Sequence, residues 1–233
     1  MIYRLTIVFI SAIVLAHGAV LSIGPGDSIQ SAIYAAHSGD IIEVGRGTYY
    51  DHLKVDKPIT LRGIGMPVLD ATASGSGVTI TADGVQLEGF RIINSGSMLG
   101  GMPASMREEP EAGIKVLSKN NIIRDNNVSN NFNGVYLSHS DNNTIFNNMV
   151  KDNLGFGIRL EGCKNNTIYA NSFVDNYRQN VCDDGSDHWD NGSIGNYYSD
   201  FRCNNRNGEI CISGYAVPGG KNIDRYPTFR ILR

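Results

Sequence analysis

Residues 120–131 read N-N-I-I-R-D-N-N-V-S-N-N, residues 141–153 read D-N-N-T-I-F-N-N-M-V-K-D-N, and residues 164–176 read K-N-N-T-I-Y-A-N-S-F-V-D-N. These are three copies of one unit. Ile123, Ile145 and Ile168 are equivalent, at steps of 22 and then 23 residues. Val128, Val150 and Phe173 follow five residues after each, and Asn131, Asn153 and Asn176 follow eight after each. Next come G-V-Y-L from Gly134, G-I-R-L from Gly157 and N-V-C-D from Asn180. A fixed period of this length, punctuated by Asn and Gly, is the mark of a solenoid. A leucine-rich repeat would need several leucines per unit, and these units carry one or none.

Within the second unit the alternating stretches are Thr144–Phe146, Asn148–Val150 and Ile158–Leu160. Strict alternation over so few residues predicts strands with one buried face, and none is long enough for a helix. Three short strands per unit close one turn of a parallel β-helix, with the next turn about 4.7–4.9 Å away. The inward residues then stack in files: Ile123/Ile145/Ile168, Val128/Val150/Phe173 and Val135/Ile158/Val181. Asparagine files, Asn121/Asn143/Asn166 and Asn126/Asn148/Asn171, read as turn ladders, because Asn tolerates left-handed backbone and bonds its own turn. The same pattern creates N-x-S/T sequons at Asn127, Asn142, Asn165 and Asn191.

The 233 residues suffice for one elongated domain, and a net charge of −3 supplies no basic footprint for nucleic acid. Residues 1–18 read as a secretory signal: Arg4, then an apolar core over Leu5–Ala16, then Ala16-His17-Gly18 as a cleavage site. That reading places the mature protein outside the cytoplasm, secreted, periplasmic or on the cell surface, with no transmembrane span. Four cysteines in an exported chain imply two disulfides. Cys203 and Cys211 are the local pair, which leaves Cys163 with Cys182. No C-x-x-C spacing suggests a zinc site.

Ahead of the repeats, Ser28–His37 carries Ile29, Ala32, Ile33 and Ala36 at helical spacing, with Asp27 as expected N-cap and Gln30 three residues on. One short amphipathic helix before a solenoid is expected to cap its open end. The text then runs G-D-I-I-E-V-G-R-G-T-Y from Gly39 and K-P-I-T-L-R-G from Lys57. Together with the N-N-T-I repeats, W-D-N-G-S-I-G-N-Y-Y-S-D-F from Trp189, and P-G-G-K-N-I-D-R-Y-P from Pro218, this resembles secreted right-handed β-helix proteins of the NosD type. These are carbohydrate-binding and sugar-hydrolase (CASH) domain proteins of the pectin-lyase-like superfamily, and the resemblance is to archaeal members most of all. It implies an all-β, right-handed parallel β-helix over residues 19–182, with an irregular, aromatic-rich cap over 183–233. It does not fix an activity. Relatives of this type often carry an Asp-rich, calcium-like loop after Y-Y-S-D. Here R-C-N-N-R-N-G-E-I-C stands in its place, so no calcium is expected.

Leu87 and Ile92 match Ile123 and Val128 at a gap of 36, one unit plus an insertion within residues 95–112. A loop this long on a regular scaffold is a functional candidate. Its Met98, Met102 and Met106 form a candidate soft site for Cu(I), which the NosD resemblance favours through its link to copper-site maturation. The structural alternative is a loop packing through flexible Met side chains. Against copper, His37, His52, His139 and His188 are scattered with no H-x-H pair, and the expectation is no cofactor, with copper as the possible exception.

Chemistry on the outside of the coils falls on the strand that holds Ile114, Val135, Ile158 and Val181. One outward file is Thr79, Lys115, Tyr136, Arg159 and Cys182, and the next is Leu117, Ser138, Glu161 and Asp184. Lys115, Tyr136 and Arg159 in a line offer a sugar-stacking ring between two cations suited to an acidic glycan. The preferred expectation is an exported, non-catalytic β-helix protein that binds a polysaccharide or cell-surface glycan or serves the envelope structurally. The enzymatic alternative, a polysaccharide hydrolase or lyase, needs Glu161 and Asp184 as a working carboxylate pair. The third alternative is a copper-binding accessory protein. The competing view of Glu161, Asp184, Arg159 and Lys115 is a set of ordinary surface ion pairs.

Overall fold

The computed structural model describes residues 18–96, 110–208 and 210–231. The expected signal segment, Gly18 excepted, and the candidate copper residues Met98, Met102 and Met106 lie outside them. The described chain winds into a right-handed parallel β-solenoid of about seven turns. Each turn contributes a strand to each of three parallel sheets. The first sheet stacks eight strands from Val20–Ile23 to Ser186–His188, the second seven from Thr48–Tyr49 to Tyr197–Tyr198. The third stacks six: Leu53–Val55, Val78–Ile80, Ala112–Val116, Asn133–Ser138, Phe156–Glu161 and Gln179–Asp183.

The repeat period converts directly into register. Ile123 pairs with Ile145 and Ile145 with Ile168; Val128 pairs with Val150 and Val150 with Phe173; Val135 pairs with Ile158 and Ile158 with Val181. Leu87 pairs with Ile123 and Ile92 with Val128, so the extra residues between them leave the coil geometry intact. These inward side chains form one continuous core, nearly all fully buried. The glycine that opens G-V-Y-L is required by this packing. A Cβ on Gly134 would meet Val150 Cγ1 at 2.5 Å and the carbonyl oxygen of Gly157 at 2.4 Å.

The paired asparagines divide two tasks. The first residue of each pair takes the left-handed conformation, as in Asn120 (φ 59°), Asn142 (φ 59°) and Asn165 (φ 58°). The second is buried and bonds the next turn. Asn143 Oδ1 accepts from the Asn121 backbone N–H (2.9 Å) and Nδ2 (2.8 Å), and Asn166 Oδ1 does the same for Asn143. Two parallel ladders run through Asn126/Asn148/Asn171/Asn196 and Asn131/Asn153/Asn176. An Asn amide in a ladder needs an acceptor one turn further on, and the last turn has no successor. Two ladders therefore end on aspartates, each offering an accepting oxygen to the ladder: Asn166 Nδ2 donates to Asp187 Oδ1 (2.8 Å) and the Asn196 N–H to Asp224 Oδ2 (2.7 Å). Both carboxyls are buried.

At the N-terminal end the helix spans Ile29–Ala35, shorter than the expected Ser28–His37. Its N-cap is Ser28, whose Oγ accepts from the Ser31 N–H, and not Asp27, whose carboxylate accepts from the Gly24 N–H instead. Gln30 clamps the Lys54 backbone rather than completing a capping box. Ile29, Ala32 and Ile33 join the core. Beyond Cys182 the coil does not stop where the sequence period fades. Ser186–His188 and Tyr197–Tyr198 add further strands before two short hairpins. Trp189, Tyr198 and Tyr215 are buried against the last turn, with Tyr198 and Tyr215 stacked at 3.8 Å.

Cys203 and Cys211 form a disulfide with Cα atoms 5.7 Å apart. The expected Cys163–Cys182 bond is not formed, and both are free. Cys163 lies inside the wall, its Sγ 3.4 Å from the Glu161 carbonyl, whereas Cys182 faces outward beside Arg159. Cys163 sits in the turn between Phe156–Glu161 and Lys164–Tyr169 with its thiol in the core, and Cys182 sits on the strand Gln179–Asp183 with its thiol outward, so the two do not meet. Burial pushes the Cys163 thiol up to about 12.

Candidate functional site: the outer face of the third sheet

The outer face of the third sheet carries an unbroken, in-register file: Lys54, Thr79, Lys115, Tyr136, Arg159 and Cys182. Ser138 and Glu161 pair in the neighbouring file. The corresponding face of the first sheet is occupied by its own charge ladder, in which buried Glu88 is gripped by Arg62 and Arg124 and Arg62 also reaches Glu43.

Exposure along the file differs from the sequence expectation. Tyr136 points away from the core yet is 1% exposed, and Lys115 is 8% exposed. Tyr136 therefore presents no open ring to a sugar. Its hydroxyl donates to the Glu161 carboxylate, which is also paired with Arg159. Burial, and then the bond to Glu161, push the Tyr136 phenol up to about 12. The exposed cations on this wall are Lys54 and Arg178, while Arg159 is half-buried and paired with Glu161. Arg159 and Arg178 lie 5.2 and 4.8 Å from the Phe156 ring centroid, positions that suit cation–π contact.

The two carboxylates of the enzymatic alternative, Glu161 and Asp184, are both engaged by other groups. Both Glu161 oxygens face donors, Tyr136 Oη–H on one and the Arg159 guanidinium on the other. Asp184 Oδ1 accepts from the Gly162 N–H at 2.7 Å, so it acts as a turn clamp.

At its N-terminal end the file opens into a cleft of about 360 Å³ lined by His52, Lys54, Ser74, Ser76, Thr79 and Glu111, among others. His52 Nδ1 is 2.9 Å from the Ser76 carbonyl oxygen. A carbonyl only accepts, so Nδ1 carries the proton and Nε2 is the free base. Ser74 Oγ lies 3.2 Å from that Nε2. Ser76 Oγ donates to the Glu111 carboxylate, and the Glu111 carbonyl is held by Asn133 Nδ2. Sequence reasoning missed these residues because it treated the histidines as scattered. The period carried no signal for them: the coil here steps by 25 residues, from Leu53 to Val78, so the 22-residue repeat does not align His52 with Ser74.

Among the described residues no three His, Cys, Asp or Glu side chains gather where they could hold a metal ion. No helix among them is long and apolar enough to cross a membrane. Of the sequon asparagines, Asn142, Asn165 and Asn191 are exposed and Asn127 is half-buried.

Residues 106–203 match the family described as NosD, periplasmic copper-binding protein. No curated protein matches this chain. Among solved structures the Escherichia coli protein YbhC is similar at 13% identity, covering 87% of this chain and 72% of its own, with a TM-score of 0.47. A pectin methylesterase from Aspergillus niger is similar at 14% identity, covering 77% and 75%, with a TM-score of 0.45. The pectate lyase Pel9A is similar at 15% identity, covering 87% of this chain and 57% of its own, with a TM-score of 0.42. Residues 106–203, carried on stacked parallel coils, are thus the part of this chain that is similar to the NosD family.

Proposed function

We propose that this is an exported glycan-binding β-helix protein, periplasmic or displayed on the cell surface, whose ligand lies along the outer face of the third sheet. The observation that carries this reading is the in-register polar file from Lys54 to Arg159, which opens into the Lys54–Glu111 cleft at one end. Coils about 4.8 Å apart repeat a polar group at a spacing close to that of a sugar chain's own hydroxyls and carboxylates. Lys54, Arg159 and Arg178 favour an acidic polysaccharide through charge-assisted hydrogen bonds. Tyr136 acts from beneath, holding Glu161 and through it Arg159 in place, rather than stacking on the sugar.

A glycan array with acidic and neutral polysaccharides tests the reading. Arg159→Ala is expected to weaken acidic-glycan binding about tenfold, the effect of one charge-assisted contact of roughly 1.5 kcal/mol. Tyr136→Phe keeps the ring and frees Glu161, so it is expected to weaken binding less. Binding that is unaffected by Arg159→Ala and by Lys54→Ala, or no binding at all, removes this face from consideration.

The family description favours a second reading, copper binding. In this chain it would rest on Met98, Met102 and Met106, soft thioethers suited to Cu(I). Titration with Cu(I) against a chromogenic competitor is expected to give a dissociation constant that weakens at least tenfold when all three are replaced by Leu. An unchanged constant in that variant takes the copper reading off this loop.

A further inference from the structure

We propose that Ser74 and His52 form a nucleophile–base pair that hydrolyses carboxylic esters in the cleft at the N-terminal end of the third sheet. This goes beyond the binding function above, and only the identity of the acyl carrier as a glycan rests on that reading.

Three groups are in line. The Ser76 carbonyl accepts from His52 Nδ1–H at 2.9 Å and fixes the tautomer; His52 Nε2, the free base, lies 3.2 Å from Ser74 Oγ. A nucleophile bonded to a base that is oriented by a third group is the arrangement that activates a serine, and the orienting group need only accept a hydrogen bond. The three residues come from two successive coils, held by the pairing of Leu53 with Val78. Gly75, between the two serines, has φ +49°, and a Cβ there would meet His52 Nδ1 at 3.2 Å and Cε1 at 3.3 Å. The imidazole is therefore seated against a position that only glycine fits well. The Gly75 carbonyl is in turn held by the Gly96 N–H at 2.7 Å. The Ser74 hydroxyl has a second acceptor, the Ala71 carbonyl at 3.3 Å, so its proton has a resting place when the cleft is empty. Ser74 and His52 are both exposed to the cleft, and the exposed Lys54 lines the same cleft.

The step balances with water as the sole co-reactant. Ser74 Oγ attacks the ester carbonyl carbon while its proton passes to His52 Nε2. The carbon–oxygen bond to the leaving group breaks, and His52 returns that proton to the departing alcohol. Water then attacks the acyl-serine, His52 takes its proton, and the carboxylic acid is released with Ser74 restored. The substrate class is a small acyl ester, such as an O-acetyl group on a sugar.

The test uses a fluorophosphonate probe and p-nitrophenyl acetate with the mature chain. Stoichiometric phosphonylation mapped to Ser74 by peptide mass is expected, together with hydrolysis that falls at least 100-fold in Ser74→Ala and in His52→Gln. His52→Gln keeps a side-chain amide to bond the Ser76 carbonyl and removes the base, which separates catalysis from a structural role. If a variant fails to fold, labelling of Ser74 in the unaltered protein remains the deciding readout. No labelling of Ser74, or turnover unchanged in Ser74→Ala, overturns the proposal. Both probes are independent of any glycan, so labelled Ser74 without glycan binding leaves the hydrolase and removes the binding reading, and the reverse result removes only the hydrolase.

Discussion

Replacing Asn148 with Ala is expected to destabilise the β-helix by about 3–5 kcal/mol, among the largest single-residue effects in the molecule. Asn148 is 2% exposed and makes five hydrogen bonds. Its Oδ1 accepts from the backbone N–H and the Nδ2 of Asn126, both at 3.1 Å. Its Nδ2 donates to the carbonyls of Ile123 and Phe146 and to Asn171 Oδ1, at 2.9, 3.0 and 3.0 Å. Alanine deletes the Asn148 side of every bond and strands its partners, donors and acceptors alike, in the buried wall of the adjacent turns. The control is Asn142, exposed and left-handed, one place before a ladder residue. Asn142→Ala loses only tolerance of positive φ, about 1 kcal/mol. Urea denaturation of the two variants measures the contrast. Equal midpoints would show that the ladders are decoration on a fold held by its apolar files alone.

Stability is expected to fall as pH rises from about 4 to about 7, through the aspartates that end two ladders. Burial first, and the facing Asp183 carboxylate in addition, push Asp187 up to about 7 against the lowering effect of Asn166. Burial also pushes Asp224 up to about 6, opposed by donors from Asn196, Tyr226 and Tyr198. Asp187 Oδ2 is buried without a hydrogen-bond partner when the carboxyl is ionised; protonated, it can donate to Asp183. The sign follows from linkage. A raised carboxyl pKa means that the folded state binds the proton more tightly than the unfolded state. The resulting stability is complete below about pH 4 and is lost as pH climbs through the folded values near 6 and 7. The two sites together contribute on the order of 2–4 kcal/mol, or several degrees in Tm. Asp187→Asn replaces the proton with an amide donor, so it is expected to raise Tm at pH 8 and to flatten the profile between pH 5 and 8. Asp141 acts in the opposite direction, because the bond from Lys119 holds its carboxyl below the ordinary range and its contribution is lost on acidification. A Tm that rises monotonically from pH 5 to 8, with Asp187→Asn indistinguishable from the unaltered chain, would overturn this account.

The one-residue precision of the core was legible before any coordinates. In a parallel solenoid each coil pairs in register with the next, so a sequence period is a spatial stacking rule, and Ile123, Ile145 and Ile168 could only fall in one file. The gap of 36 between Leu87 and Ile123 resolved into one coil plus an insertion for the same reason. The Cys203–Cys211 pair was legible because its loop is short. What the linear text could not carry was accessibility. Alternation put Tyr136 on the outer face, but its burial depends on neighbours in other coils, and the ring proved to be hidden.

Pairing by elimination failed for Cys163 and Cys182, since Cys163 lies in a turn, outside the strand alternation, and points into the core while Cys182 faces outward. The ladder ends at Asp187 and Asp224 were invisible because the steps change there: Asn166 to Asp187 is 21 residues and Asn196 to Asp224 is 28. Ser74 and His52 sit in coils where the Asn repeat is absent, so only the fold brought them within 3.2 Å. Local periodicity sets the coil because it acts through nearest-neighbour strands. Contacts made at turns, ends and insertions depend on chain paths of irregular length, and those become definite only when the whole helix is wound.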